Sequence, residues 1–140
     1  MGTRCLVRVK DREGRIIVNM YRQWEGYPEA PGMGHELSEF LKGFKIVNGI
    51  PGGEHEPGTM ANGLGCLAAQ IVAHFKKRVG DVYLHTYDVV AEDCDAEYCY
   101  TVYHPFQGES VLFVLCEDYA GKVIYNGSPM AYPQKPSVVE

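Results

Sequence analysis

Between residues 4 and 10 the apolar Cys5, Val7 and Val9 alternate with the polar Arg4, Arg8 and Lys10. After Asp11-Arg-Glu-Gly14 the alternation resumes, with Ile16, Val18 and Met20 set against Ile17, Asn19 and Tyr21. Period two on both sides of a Gly-containing turn predicts an antiparallel hairpin with one face toward a core. The pattern then breaks. Trp24 to Gly34 holds Gly26, Pro28, Pro31, Gly32 and Gly34, which predicts a loop.

Leu37, Phe40, Leu41 and Phe44 recur at i, i+3, i+4 and i+7, with Glu36 and Glu39 between them, so a short surface helix follows the loop. Asn48 to Gly58, with Gly49, Pro51, Gly52, Gly53, Pro57 and Gly58, predicts a second loop. A longer helix comes next. Asn62 is its expected N-cap, Leu64, Leu67, Ala68, Ile71 and Phe75 form its apolar stripe, and Gly80 is its expected stop. Lys76, Lys77 and Arg78 would then sit where the helix dipole favours cations. The other faces carry Gly65, Cys66, Ala69 and Ala73, so the helix is expected to be deeply buried, its small residues permitting close approach to a sheet or a partner chain.

Four segments rich in Val, Tyr, Leu and Phe complete the pattern: Val82 to Val89, Glu97 to His104, Ser110 to Cys116 and Lys122 to Tyr125. Their separators are short enough for hairpins. The order ββααββββ predicts a single α+β domain over residues 1–127, a largely antiparallel sheet covered by two helices. Residues 128–140, with Pro129, Pro133 and Pro136, are expected to form a flexible tail.

Composition changes this picture in two places. The chain has 140 residues with 16 Gly and 8 Pro, and 14 of those 24 lie between Gly26 and Gly65, so special structure concentrates around the two loops and the helix entrances. The net charge of -5 hides a basic front, +4 over residues 1–24, and an acidic remainder of -9. Arg4, Arg8, Lys10 and Arg15 with ten tyrosines invite a nucleic-acid reading, but the acidic second half argues against a general nucleic-acid binder. The longest apolar run, Val111 to Cys116, is too short to cross a bilayer. Five cysteines without a dense spacing pattern, and no apolar leader, make an intracellular setting the expectation rather than secretion.

The candidate chemistry is incomplete. Gly63-Leu-Gly65-Cys-Leu-Ala68 satisfies G-x-G-x-x-A but lacks the βαβ setting of a dinucleotide site, and reads as a Gly-rich helix entrance. Cys94, Cys99 and His104 do not form a metal set, because Cys99 and His104 fall on opposite faces of one strand. Neither a metal nor a cofactor is expected. His35 beside Glu36, and His55 between Glu54 and Glu56, have the parts for acid/base work only if their loops meet. The densest recognition-type run is Tyr21-Arg22-Gln23-Trp24-Glu25-Gly26-Tyr27-Pro28, where Arg22 suits a carboxylate or phosphate and Trp24 and Tyr27 suit a contact surface or a packed corner.

The chain also resembles a family of small uncharacterised proteins of bacteria, bacteriophages and large DNA viruses. The resemblance rests on Met1-Gly-Thr-Arg4, Tyr21-Arg-Gln23, Glu25-Gly-Tyr-Pro28, Gly34-His-Glu-Leu37, Phe40-Leu41, Ile46-Val-Asn-Gly49 and Asn62-Gly-Leu-Gly-Cys-Leu-Ala-Ala-Gln70. Family members carry a shorter loop after Gly-Tyr-Pro and often a His where Met33 stands, so no shared catalytic histidine is carried over. The resemblance implies a viral or phage origin and an accessory role.

The expectation is therefore a non-catalytic binding or interaction protein of a large DNA virus or phage, a homodimer acting on a host or virion component. Its contact candidates are Arg22, Trp24, Glu25, Tyr27, His35, His55 and Asn62. The alternative is a small hydrolase or transferase with a pocket between the 21–35 and 48–62 loops, with Arg22 as anion clamp, Tyr27 as stacking wall and His35 or His55 as acid/base.

Overall fold

The N-terminal hairpin forms as the alternation requires, with β1 (Cys5–Lys10) antiparallel to β2 (Ile16–Arg22). Asp11 closes it: its Oδ1 accepts the backbone N–H groups of Glu13 and Arg15, and Gly14 takes the left-handed φ of 82° that the turn needs. The computed structural model describes residues 2–47, 60–105 and 111–136. After the hairpin come helix α1 (Met33–Leu41), strands β3 (Lys45–Val47) and β4 (Met60–Asn62), and helix α2 (Gly63–Phe75). Strands β5 (Val82–Leu84), β6 (Tyr98–Tyr103), β7 (Phe113–Asp118) and β8 (Val123–Gly127) follow.

Six strands make one sheet in the order β5-β2-β1-β6-β7-β8. Every pair is antiparallel except β1 and β6, so the sheet is largely antiparallel and the fold is α+β. Cys5, Val7, Val9, Met20, Tyr100, Val102, Val114 and Cys116 point to one face and are wholly buried there. Leu37 and Leu41 of α1 and Leu64, Leu67, Ile71 and Phe75 of α2 cover them, giving one hydrophobic core. Burying such side chains contributes about 1.5–3 kcal/mol each.

Several boundaries differ from the sequence expectation. β3 and β4 form a small parallel pair, Ile46 opposite Ala61, that three-residue segments are too short to announce as periodicity. β5 ends at Leu84 rather than Val89, and it does not pair with β6. The reason lies in Asn19, whose Nδ2 donates to the carbonyls of Thr86 and Val89 at 2.9 Å each and draws the chain across the outer face of the sheet. Arg8 also reaches the Val89 carbonyl, and a 3-10 turn (Ala91–Cys94) continues the crossing until the Glu97 N–H meets the Arg4 carbonyl. That crossover is what lets β6 run parallel to β1.

Helix α2 stops at Phe75, not near Gly80, because Lys76 is already extended. The Lys76 ammonium folds back onto the carbonyls of Gly80 and Val82, at 2.9 and 2.8 Å, so Lys76, Lys77 and Arg78 lie beyond the helix instead of in its last turn. Nor is α2 buried all round. Gly65, Cys66, Ala69 and Ala73 are exposed.

The packed structure does not end at Gly127. Pro129–Ala131 form a 3-10 turn with Ser128 as its side-chain cap, and Tyr132 packs edge-on against Tyr125. The Tyr132 hydroxyl donates to the Pro28 carbonyl at 2.9 Å. Apolar burial and one long-range hydrogen bond therefore hold the first part of the segment expected to be a flexible tail.

Candidate functional site

Arg22 ends β2, and the pairing with Val82 of β5 places its side chain where α1, the end of α2 and the start of β5 converge. Its Nη2 donates to Glu36 Oε1 at 3.2 Å, its Nη1 contacts Met33 Sδ at 2.9 Å, and its guanidinium lies 5.7 Å from the Phe75 ring centroid. Only 11% of the side chain is exposed, and among the described residues its buried Nε has no hydrogen-bond partner. A sulfur is a weak acceptor, so this cation is held in place but poorly satisfied.

Asp81 lines the same cleft. Its backbone has the left-handed φ of 64°, and its carbonyl accepts the Gln23 N–H at 2.8 Å, which fixes the side chain's direction. Oδ2 lies 3.6 Å from Arg78 Nη2, beyond ordinary hydrogen-bond length, and Oδ1 is buried and unpartnered among the described residues. Arg22, Glu36, Asp81, Lys77, Arg78 and Phe75 thus share a cleft of about 180 Å³, with Gly80 and Val82 completing its lining.

Trp24 stands at the rim. It is 43% exposed, and Arg78 lies over it at 6.0 Å from the ring centroid. Glu25 and Tyr27 take a different role, as parts of a locked corner. Glu25, at a φ of 59°, accepts the Met33 N–H through its carbonyl, and the Tyr27 carbonyl accepts the Gly34 N–H. Gly26 and Gly34 are sterically required there: a Cβ on Gly26 would fall 2.8 Å from the Cys5 Cβ, and one on Gly34 2.6 Å from the Pro28 carbonyl oxygen. Tyr27 is half-buried beside Gly32 and lies outside the cleft lining.

His35 sits on α1, half-buried, and is not among the residues that line the cleft. Asn62 is exposed at the N-cap position of α2, also outside that lining. His55 and residues 48–59 fall outside the described residues, so the pocket expected between the 21–35 and 48–62 loops has one described wall. Of the sequence candidates Arg22 lines the cleft and Trp24 touches it only through Arg78, while Glu36, Asp81, Lys77 and Arg78 join the lining. The signal for Asp81 was faint: Gly80-Asp81 at a reversal, a place where Asp tolerates φ above zero.

A second surface lies along α2. Gly65, Ala69, Val72 and Ala73 form, with Ile17, Val18 and Leu84, a shallow apolar groove of about 550 Å³. Ile17 is the extra residue where the register of β1 and β2 shifts, and it is 40% exposed; Leu84, near the end of the edge strand, is 60% exposed. Among the described residues Lys76 is the charged one in the groove.

Among the described residues no group of three or more His, Cys, Asp or Glu side chains is arranged to hold a metal ion. No described helix is long and apolar enough to cross a membrane. Fold and surfaces define an α+β domain with a charged cleft at one end of its sheet and an open apolar helix face beside it. No protein-family model, curated protein or solved structure matches the chain.

Proposed function

We propose that the protein is a non-catalytic interaction protein that works as a homodimer paired through α2. On the family resemblance, it serves a large DNA virus or phage inside the cell by acting on a host or virion component. The exposed face of α2 carries this reading. Gly65, Ala69 and Ala73 recur every four residues, project almost nothing from the helix, and are flanked by exposed Ile17 and Leu84. Covering this groove with a second chain would remove its apolar lining from water. Small side chains let a second helix come within the short end of the usual range of about 8–10 Å between axes. A two-fold contact needs the same patch on both copies, and one helix stripe supplies it.

Light scattering tests the proposal directly, with twice the chain mass expected at micromolar concentration. Ala69→Glu would place a carboxylate in the middle of the stripe and is expected to give the single-chain mass with unchanged circular dichroism. The exposed Cys66, one residue from Gly65, gives a second readout: its alkylation should slow as protein concentration rises. A wild-type protein that stays at the single-chain mass, with Cys66 reacting at one rate throughout, would remove the homodimer.

A further inference from the structure

We propose that the Arg22 cleft binds a small 2-hydroxycarboxylate. This site is separate from the α2 groove, with which its lining shares no residue. The proposal starts from two complementary side chains that line one cavity, each with a buried polar atom left unsatisfied among the described residues. Among the described residues Arg22 Nε is a buried cationic donor without an acceptor, and Asp81 Oδ1 is a buried acceptor without a donor, on a residue only 8% exposed. Each unsatisfied group costs free energy that a ligand recovers by pairing with it, most of all when the bond is charge-assisted. The ligand that satisfies both must carry an oxyanion for Arg22 and a neighbouring donor for Asp81.

Charge narrows the class. Among the described residues the lining holds Arg22, Lys77 and Arg78 against Glu36 and Asp81, a net charge of +1. A monoanion brings the cleft to neutrality, whereas a phosphate dianion overshoots it and a zwitterionic amino acid leaves the excess in place. A hydroxyl is then the donor that adds no charge. Size favours a short acid, since the cleft is small, about 180 Å³. Phe75 and Val82, both in the lining, provide an apolar wall for a short alkyl substituent.

Arg78 completes the site. Its side chain is 67% exposed, its contact to Asp81 is long, and it rests over Trp24, so it is free to turn onto the ligand's carboxylate. Trp24 is the chain's single tryptophan, which makes its fluorescence a local report of that movement.

Titration with 2-hydroxyisobutyrate is the test, read by Trp24 fluorescence and in parallel by the amide shifts of Gly80 and Val82, so that a silent indole hides nothing. Saturable binding is expected. Isobutyrate, which lacks the donor, 2-hydroxyisobutyramide, which lacks the anion, and inorganic phosphate should each bind about tenfold more weakly or worse. Arg22→Gln should weaken binding by at least about tenfold. Should that variant fail to fold, the exposed Arg78→Gln is expected to fold normally and to weaken binding severalfold. No saturable response by either readout, equal binding of isobutyrate or the amide, tightest binding of phosphate, or undiminished binding by a folded variant would each overturn the proposal.

Discussion

The Tyr100 hydroxyl donates to the Gly26 carbonyl at 2.7 Å, tying the middle of β6 to the corner where the chain leaves β2, 74 residues earlier. Burial pushes this phenol's pKa well above its ordinary value, so it remains a donor at any pH the fold survives. Tyr100→Phe leaves the Gly26 carbonyl without this partner, and a loss of about 1–3 kcal/mol is expected in urea unfolding. Gly26→Ala should cost about 3 kcal/mol, at the upper end for overpacking, because its Cβ would collide with Cys5 and with the Thr3 carbonyl. A Gly26→Ala protein as stable as wild type would show that the corner yields.

Deleting everything after Gly127 removes Tyr132 and its bond to Pro28, and is expected to cost about 2–4 kcal/mol. Thermal melts of the shortened and full chains measure it. An unchanged midpoint would mean that the docked turn contributes nothing.

Asn19 is buried, 2% exposed, and both hydrogens of its amide hold the crossover backbone. Asn19→Ala is expected to lower stability by about 2–3 kcal/mol, since two hydrogen bonds to the crossover are lost together. Hydrogen exchange should localise the loosening to residues 85–97 while β6 and β7 stay protected.

The thiols separate by burial. Cys5 and Cys116 are both buried; burial pushes the Cys116 thiol up to about 12 and raises Cys5 as well. Cys66 is exposed on α2. Mass spectrometry of dilute native protein after alkylation should find Cys66 modified and the two buried thiols untouched until denaturant is added.

His74 stacks on Phe40 at 4.2 Å, and burial together with the nearby Lys77 holds its pKa below the usual 6.5. The unfolded chain therefore binds this proton first. The contribution of the neutral stacked ring to stability is fully present above the unfolded value of 6.5, and is lost as the pH falls through the lower folded value. Urea midpoints on either side of 6.5 should fall more in wild type than in His74→Gln. Equal falls would place the acid sensitivity elsewhere.

Much of this architecture could be read from residue order. The hairpin was legible because Cys5, Val7 and Val9 alternate strictly with charge, and the core face of α2 because its large side chains recur every three or four residues. Arg22 and Trp24 stood out as an isolated guanidinium and the single indole in a Gly- and Pro-rich run. Asp81 did not, because nothing local marks a carboxylate whose partner groups come from β2 and from beyond α2. The β3 and β4 pair was equally hidden: three residues carry no period, and the pairing joins segments that are distant in sequence.

Local order determined which residues face inward, where the chain turns, and that a largely antiparallel α+β domain results, because steric periodicity and turn chemistry act between near neighbours. Tertiary structure alone decided that β6 lies parallel to β1 and that Tyr132 closes the corner at Pro28. It also decided that the small-residue face of α2 stays open, and that Arg22 and Asp81 line one cleft. These outcomes depend on the competition for buried space among segments far apart in the chain, and no local pattern encodes which of them wins.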